Sequence, residues 1–155
     1  MTRRLPPISE LLPHRPPMIL LDEVVAWDGA AITTAVTIRP ETLFREAEGV
    51  PAHIGIEYMA QTCGSFAGAQ AIAAGRPVRI GFLLGTRRYT PHRPWFRLGE
   101  RLTVTASLVY ADDSMANFDV RIEVSGVLAA AAQLTVFQPP EDALDSGTLD
   151  GGFTP

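Results

Sequence analysis

Val50-Pro51-Ala52-His53-Ile54-Gly55-Ile56-Glu57-Tyr58-Met59-Ala60-Gln61 opens the stretch whose reading decides the fold, a run that reaches Gly75. Pro51 suits the first turn of a helix, where its missing N–H costs nothing. From there only glycines interrupt good helix formers, and Gly75-Arg76-Pro77 supplies the stop. Between Glu57 and Arg76 no residue is charged, and apolar residues fall on every face. That pattern predicts a buried helix from about 51 to 74. Gln61, Thr62, Ser65 and Gln70 make it too polar for a membrane span. Residues four apart share a helix face, so His53, Glu57 and Gln61 form one polar stripe at its start. A buried carboxylate is costly unless it is paired or in use, which makes Glu57 the first candidate for chemistry.

Outward from this helix the pattern changes to strands. Ile8 to Leu12 reads as a short helical turn, and Leu12-Pro13-His14-Arg15-Pro16-Pro17 is held extended by its prolines. Met18 to Trp27 and Ala30 to Arg39 are strands joined by an Asp28-Gly29 turn. A loop, 40 to 49, leads into the helix. Beyond it come strands at Val78 to Leu84, Arg101 to Asp112, Met115 to Val124 and Val127 to Phe137, with an irregular Tyr89 to Gly99 between the first two. Antiparallel strands around one helix predict an α+β fold, an antiparallel sheet of about six strands wrapped on a long buried central helix. The open sheet edge calls for a second copy, so a dimer is expected.

With 155 residues the chain is long enough for one domain with a full core, expected over 1–137. An acidic, disordered tail is expected over 138–155, on the strength of Pro139-Pro140, Gly147 and Gly151-Gly152. All 13 basic side chains are arginines, and the net charge is −4. Four of the 17 acids lie in the tail, so the body is neutral, which argues against non-specific nucleic-acid binding. The single cysteine, Cys63, excludes an internal disulfide, and no Cys/His spacing suggests zinc or another metal. Cys63 reads as core. The segment Met1 to Pro7 has no apolar signal-peptide region, and the expected setting is a reducing cytoplasm.

Three segments together resemble a known family. Leu12-Pro13-His14-Arg15-Pro16-Pro17-Met18-Ile19-Leu20-Leu21-Asp22 is similar to the opening of the hotdog-fold 3-hydroxyacyl-[acyl-carrier-protein] dehydratases of fatty acid synthesis. The Pro51 to Gln61 segment resembles the start of their central helix, where Glu is followed by a Met-Ala-Gln run. Leu98-Gly99-Glu100-Arg101-Leu102 resembles their turn into the next strand. The likeness covers roughly residues 8 to 137 and leans toward dehydratase-like proteins of polyene or polyketide-type lipid pathways. It implies a hotdog fold, dehydration of 3-hydroxyacyl thioesters to 2-enoyl thioesters, and no cofactor. It also implies a shared active site, built from the helix glutamate of one subunit and a histidine of the other. In the family that histidine lies in a His-Phe-Pro motif, a little over a dozen residues before the glutamate. Here the region reads Glu41-Thr42-Leu43-Phe44-Arg45-Glu46-Ala47, without histidine, and the family's Pro-Gly at the helix start is Pro51-Ala52.

Such a reaction needs a base, an acid and a donor for the enolate oxygen. Glu57 suits the acid. His53, one turn before it, is the nearby candidate base, and its spacing equally suits simple pairing with Glu57. The N–H of Ala52 or His53, at the positive end of the helix, suits the oxygen. Gln61 is expected to orient Glu57 beside the substrate. Between Arg76 and Arg101 there are seven arginines and one acid, Glu100. Such a run is either a solvated face or, at Arg87, Arg88 and Arg93, a dock for an acidic acyl carrier protein with its phosphate-bearing arm. Two other readings stay open: a non-catalytic partner subunit of a complete dehydratase, and a hotdog acyl thioesterase using the helix carboxylate. The thioester carrier (acyl carrier protein or coenzyme A) and the choice between homodimer and heterodimer stay open as well.

Overall fold

A computed structural model describes residues 5–13, 17–79 and 81–138. Its centre is the expected helix. Val50–Pro51 forms a two-residue strand, β3, and Ala52–Ile54 a single 3-10 turn leading into α2, Gly55–Ala73. The stop is a C-cap whose left-handed residue favours glycine. Gly75 adopts φ +70°, its N–H returns to the Ile72 carbonyl at 3.1 Å, and the Arg76 N–H reaches the Ala71 carbonyl at 2.8 Å. This is the paired closure that a left-handed residue after a helix permits. No helix is long and apolar enough to cross a membrane among the described residues.

The remaining strands are β1 (Glu23–Trp27), β2 (Ala31–Thr37), β4 (Phe82–Pro91), β5 (Trp95–Phe96), β6 (Arg101–Ala111), β7 (Met115–Val124) and β8 (Val127–Phe137), with a first short helix, α1, at Ile8–Leu11. Six of them form one antiparallel sheet in the order β1-β2-β6-β7-β8-β4, while β3 pairs only with β5. This is the hotdog arrangement. The turns follow from their residues. The Asp28 carboxylate accepts the Ala30 and Ala31 N–H groups at 2.9 and 3.0 Å. Asp112 does the same for Ser114 and Met115, both at 2.9 Å. Ser125 and Gly126 both take positive φ, the backbone a two-residue hairpin demands.

Strand boundaries differ from expectation: Val50–Pro51, expected at the helix start, is a strand, Trp95–Phe96 is a strand within the segment expected to be irregular, and two further differences are larger. The strand expected at Val78 to Leu84 lies instead at Phe82–Pro91, because its extent is set by pairing with β8, from Leu83 opposite Val136 to Pro91 opposite Ala130. Pro91 is tolerated there because β4 is an edge. The strand expected from Met18 begins only at Glu23, since Met18 and Leu20 are bonded to a helix side chain and the bonds to β2 start at Asp22. Gln138, placed in the tail by composition, belongs to the body. Its N–H donates to the Ser114 carbonyl at 2.7 Å, and its side chain is bonded to Arg79. The rest of the expected tail, 139–155, lies outside the described residues, as does His14.

The core fills the space between α2 and the sheet. Ile32, Val36, Leu102, Val104, Ile122 and Leu134 meet Tyr58, Met59, Cys63 and Phe66 of the helix, and Phe66 packs edge-on to Phe118 at 5.4 Å. On the helix's other side α1 comes so close that a Cβ at Gly68 would fall on the Leu11 carbonyl. Burial around α2 is uneven, however. Glu57, Ala60, Gly64, Ala67 and Ala71 are only partly covered, because this stripe of small residues leaves a groove rather than filling a seam. The outer edge of β4 is also open, with Leu83 and Leu84 40% and 56% exposed.

Candidate active site

The groove begins at Glu57, in the first turn of α2, where the helix dipole favours a negative charge. Among the described residues its carboxylate has no hydrogen-bond or ion-pair partner. It lines a narrow cavity of about 130 Å³ with Ala60 and Gly64 of the helix, Leu12 and Pro13 of the N-terminal segment, and Gly81 and Leu83 at the start of β4. A second cavity of about 420 Å³ continues past Cys63 and Phe66 toward Phe118 and Met115, ending among Arg76, Asp112 and Asp113. The two share Ala67, Val136, Arg79 and Gln138 as a common wall. Across that wall Arg79 donates through Nη2 to Gln138 Oε1 at 3.2 Å, and Gln138 Nε2 donates to the Arg79 carbonyl at 3.0 Å. A free carboxylate at the head of a groove floored by Ala, Gly and Phe can present an acid to one end of a long apolar molecule.

The other expected site residues separate. Gln61 is buried beside Glu57, but its Nε2 donates to the Met18 carbonyl at 2.7 Å and its Oε1 accepts the Leu20 N–H at 2.9 Å. Its amide ties the N-terminal segment to the helix and does not orient Glu57. His53 is exposed on the 3-10 turn, outside the cavity that holds Glu57, and the described contacts include none between the two. The Ala52 N–H donates to the Pro94 carbonyl at 2.9 Å, so it is not available to a substrate oxygen. Of the two donors expected there, the His53 N–H is the one left to consider.

The arginines separate too. Arg93 binds Glu100 at 2.8 Å, with the two side chains 28% and 22% exposed, and is structural. Arg101 pairs with Glu23 at 2.9 Å and Arg97 with Glu48 at 3.8 Å. Arg87 and Arg88 are exposed on β4 and have no ion pair among the described residues.

Over residues 6–146 the sequence matches the family described as ApeP-like, ApeP dehydratase. The chain belongs to the ApeP-like dehydratase family. By family it is therefore a hydro-lyase. The 3-hydroxyacyl-[acyl-carrier-protein] dehydratase FabZ of Streptococcus pneumoniae serotype 4 is 31% identical over 133 residues, spanning 83% of this chain and 92% of that protein. The FabZ of Agrobacterium fabrum is 26% identical over 142 residues, spanning 86% and 88%. Among solved structures, a chain of the dehydratase heterocomplex ApeI:P from Xenorhabdus doucetiae superposes with a TM-score of 0.86 at 26% identity, covering 92% of this chain and 97% of that one. A hypothetical thioesterase from Streptococcus pneumoniae, solved with coenzyme A, superposes with a TM-score of 0.61 at 14% identity, over 76% and 84%. That likeness is one of fold.

Against this family background, two residues carry signals that the sequence pattern did not. Tyr89, on β4, donates its hydroxyl to the Ala52 carbonyl at the start of the glutamate helix. Burial pushes its phenol up to about 12, so it stays a donor at neutral pH. Tyr58, 1% exposed, has a buried hydroxyl with no partner among the described residues. Cys63 is buried and its thiol is pushed up by desolvation, which makes it an inert part of the groove lining. Among the described residues no three His, Cys, Asp or Glu side chains cluster as a metal site needs.

Proposed function

We propose that this chain supplies Glu57 as the acid in the dehydration of a carrier-linked 3-hydroxyacyl thioester, working against a second hotdog chain that supplies the base. One observation carries the reading: a carboxylate without a partner among the described residues, in the first turn of the buried helix, at the head of a groove along that helix. The base takes a proton from C2 of the acyl group and the negative charge moves onto the thioester oxygen. Glu57 gives its proton to the C3 hydroxyl, which leaves as water as the C2–C3 double bond forms. The acyl chain lies along Ala60, Gly64 and Ala67 toward the larger cavity. The loop over 39–49 carries no histidine, and His53 is outside the cavity, so the base comes from the partner. Arg87 and Arg88 receive the acidic carrier protein. The heterocomplex found among structural relatives supports a mixed pair.

The non-catalytic reading has its own support in the missing histidine, and Glu57's lack of a structural partner among the described residues speaks against it. The deciding experiment assays the purified chain, alone and with histidine-bearing hotdog proteins, on 3-hydroxyacyl and plain acyl thioesters. Dehydration in the mixed assembly that is lost with Glu57→Gln supports the proposal. Dehydration indifferent to Glu57 leaves a non-catalytic subunit, and hydrolysis of plain acyl thioesters makes it a thioesterase.

A further inference from the structure

We infer that Tyr89 is a positioning residue that aims the His53 N–H at the thioester oxygen. The inference rests on the dehydratase reading and names a residue for it. The peptide unit between Ala52 and His53 is planar and trans, so its carbonyl and its N–H point in opposite directions. Whatever grips the Ala52 oxygen therefore sets where the His53 N–H points. The Tyr89 hydroxyl grips it from β4, beside the Gly55 N–H of the 3-10 turn, which donates to the same oxygen. The preceding peptide is held too, by the Ala52 N–H on the Pro94 carbonyl at 2.9 Å. Two groups from the β4–β5 segment thus fix two consecutive peptide planes at the head of the glutamate helix.

Two further features fit this role. Gly55 leaves the room: a Cβ there would collide with the Tyr89 hydroxyl and come within 3.1 Å of Ile122 Cδ1 and 3.2 Å of Phe96 Cε2. Tyr89 also lies within the irregularity of β4 between Arg87 and Thr90, where Arg88 takes φ +54°. A bulge of this kind re-aims a side chain out of regular alternation. The Gly55 bond is local to the turn, whereas the Tyr89 bond comes from a strand outside the helix, so the donor's final direction responds to how β4 is seated.

The test uses the active mixed assembly with Tyr89→Phe, which keeps the ring and removes the hydroxyl. The expected result is a kcat lowered about tenfold with KM nearly unchanged, a smaller loss than the roughly 10²–10³ that removal of an oxyanion donor itself costs. The thermal midpoint should stay in place, and the infrared carbonyl band of a bound enoyl thioester should be less red-shifted than in the parent. Gly55→Ala, which displaces the hydroxyl, should lower kcat similarly, and combining it with Tyr89→Phe should add little further loss. An active parent assembly whose Tyr89→Phe variant keeps kcat and the carbonyl band overturns the inference alone. So does a loss of kcat that merely follows a loss of folded protein. A parent assembly inactive on every 3-hydroxyacyl thioester overturns the dehydratase reading, and this inference with it.

Discussion

Arg93 holds Glu100 across a 2.8 Å ion pair, and the other oxygen of Glu100 accepts the Arg97 N–H at 2.6 Å. The carboxylate thus closes the turn before β6 and takes one arginine out of the basic run. Arg87 and Arg88 are left exposed and without an ion pair among the described residues, as the proposed carrier dock requires. Reversing both to Glu should raise KM for a carrier-linked substrate about tenfold or more, through lost electrostatic attraction. A short pantetheine thioester should be nearly unaffected. Arg93→Ala should instead cost about 1–2 kcal/mol of stability, as loss of a charge-assisted hydrogen bond does. Equal losses on both substrates with the Glu variants would make the β4 arginines structural.

Glu57→Gln keeps the volume and removes the acid. Turnover in the mixed assembly should fall roughly 10²–10⁴-fold, the scale of acid–base catalysis, with the fold unchanged by circular dichroism. His53→Ala should leave turnover nearly unchanged, because His53 is exposed and outside the Glu57 cavity. A large loss with His53→Ala would return the base to this chain.

Ala67 lies on the wall common to both cavities. Ala67→Leu should fill the passage there. Long-chain 3-hydroxyacyl thioesters should then lose roughly 10- to 200-fold in kcat/KM, the range for a methylene-sized misfit. A 3-hydroxybutyryl thioester should be processed as before. A uniform loss at all chain lengths would mean that the chain does not pass Ala67.

Tyr58 gives a prediction in pH. Burial, helped by the charge of Asp22, pushes its phenol up to about 12 from an ordinary 10. Up to pH 10 both states keep the proton. From about 10 to 12 the unfolded chain releases it while the folded chain does not, so stability falls across that window. Tyr58→Phe should reduce the fall by about half, leaving a similar contribution from Tyr89, whose phenol is also pushed up to about 12. At neutral pH it should be neutral or slightly stabilising, since it removes a buried hydroxyl with no partner among the described residues. Denaturant unfolding across the pH range measures both. Marked destabilisation at neutral pH would show that the hydroxyl is bonded.

The helix was legible because its signals are local: a proline at its head, no charge along it, and a glycine that ends it. The hairpins were legible for the same reason, through Asp28 and Asp112. What the pattern did not reveal depends on partners far away in the chain. Gln61 looked free until its amide met residues 41 and 43 positions earlier. Ala52 looked like an open donor until Pro94 was folded against it. The displaced β4 is similar, because apolar content alone suggested 78 to 84, whereas the ladder with β8 carries the strand through Arg87 and Arg88 to Pro91. Glu57 was found for its setting, an isolated charge in an uncharged helix. Its lack of partners among the described residues is a property that only the folded chain reveals.

The open edge of β4 bears on how such a chain is made in a cell. A strand bonded on one side only among the described residues, with Leu83 and Leu84 exposed on it, can template pairing with an extended segment that reaches it first. If a second hotdog chain caps this edge, as proposed above, copies synthesised in excess of it are orphans, exposed to self-association and to proteases. Supply then becomes a question of stoichiometry. Genes for the two chains that are translated side by side, in matched amounts, would protect the fold as effectively as any substitution within it.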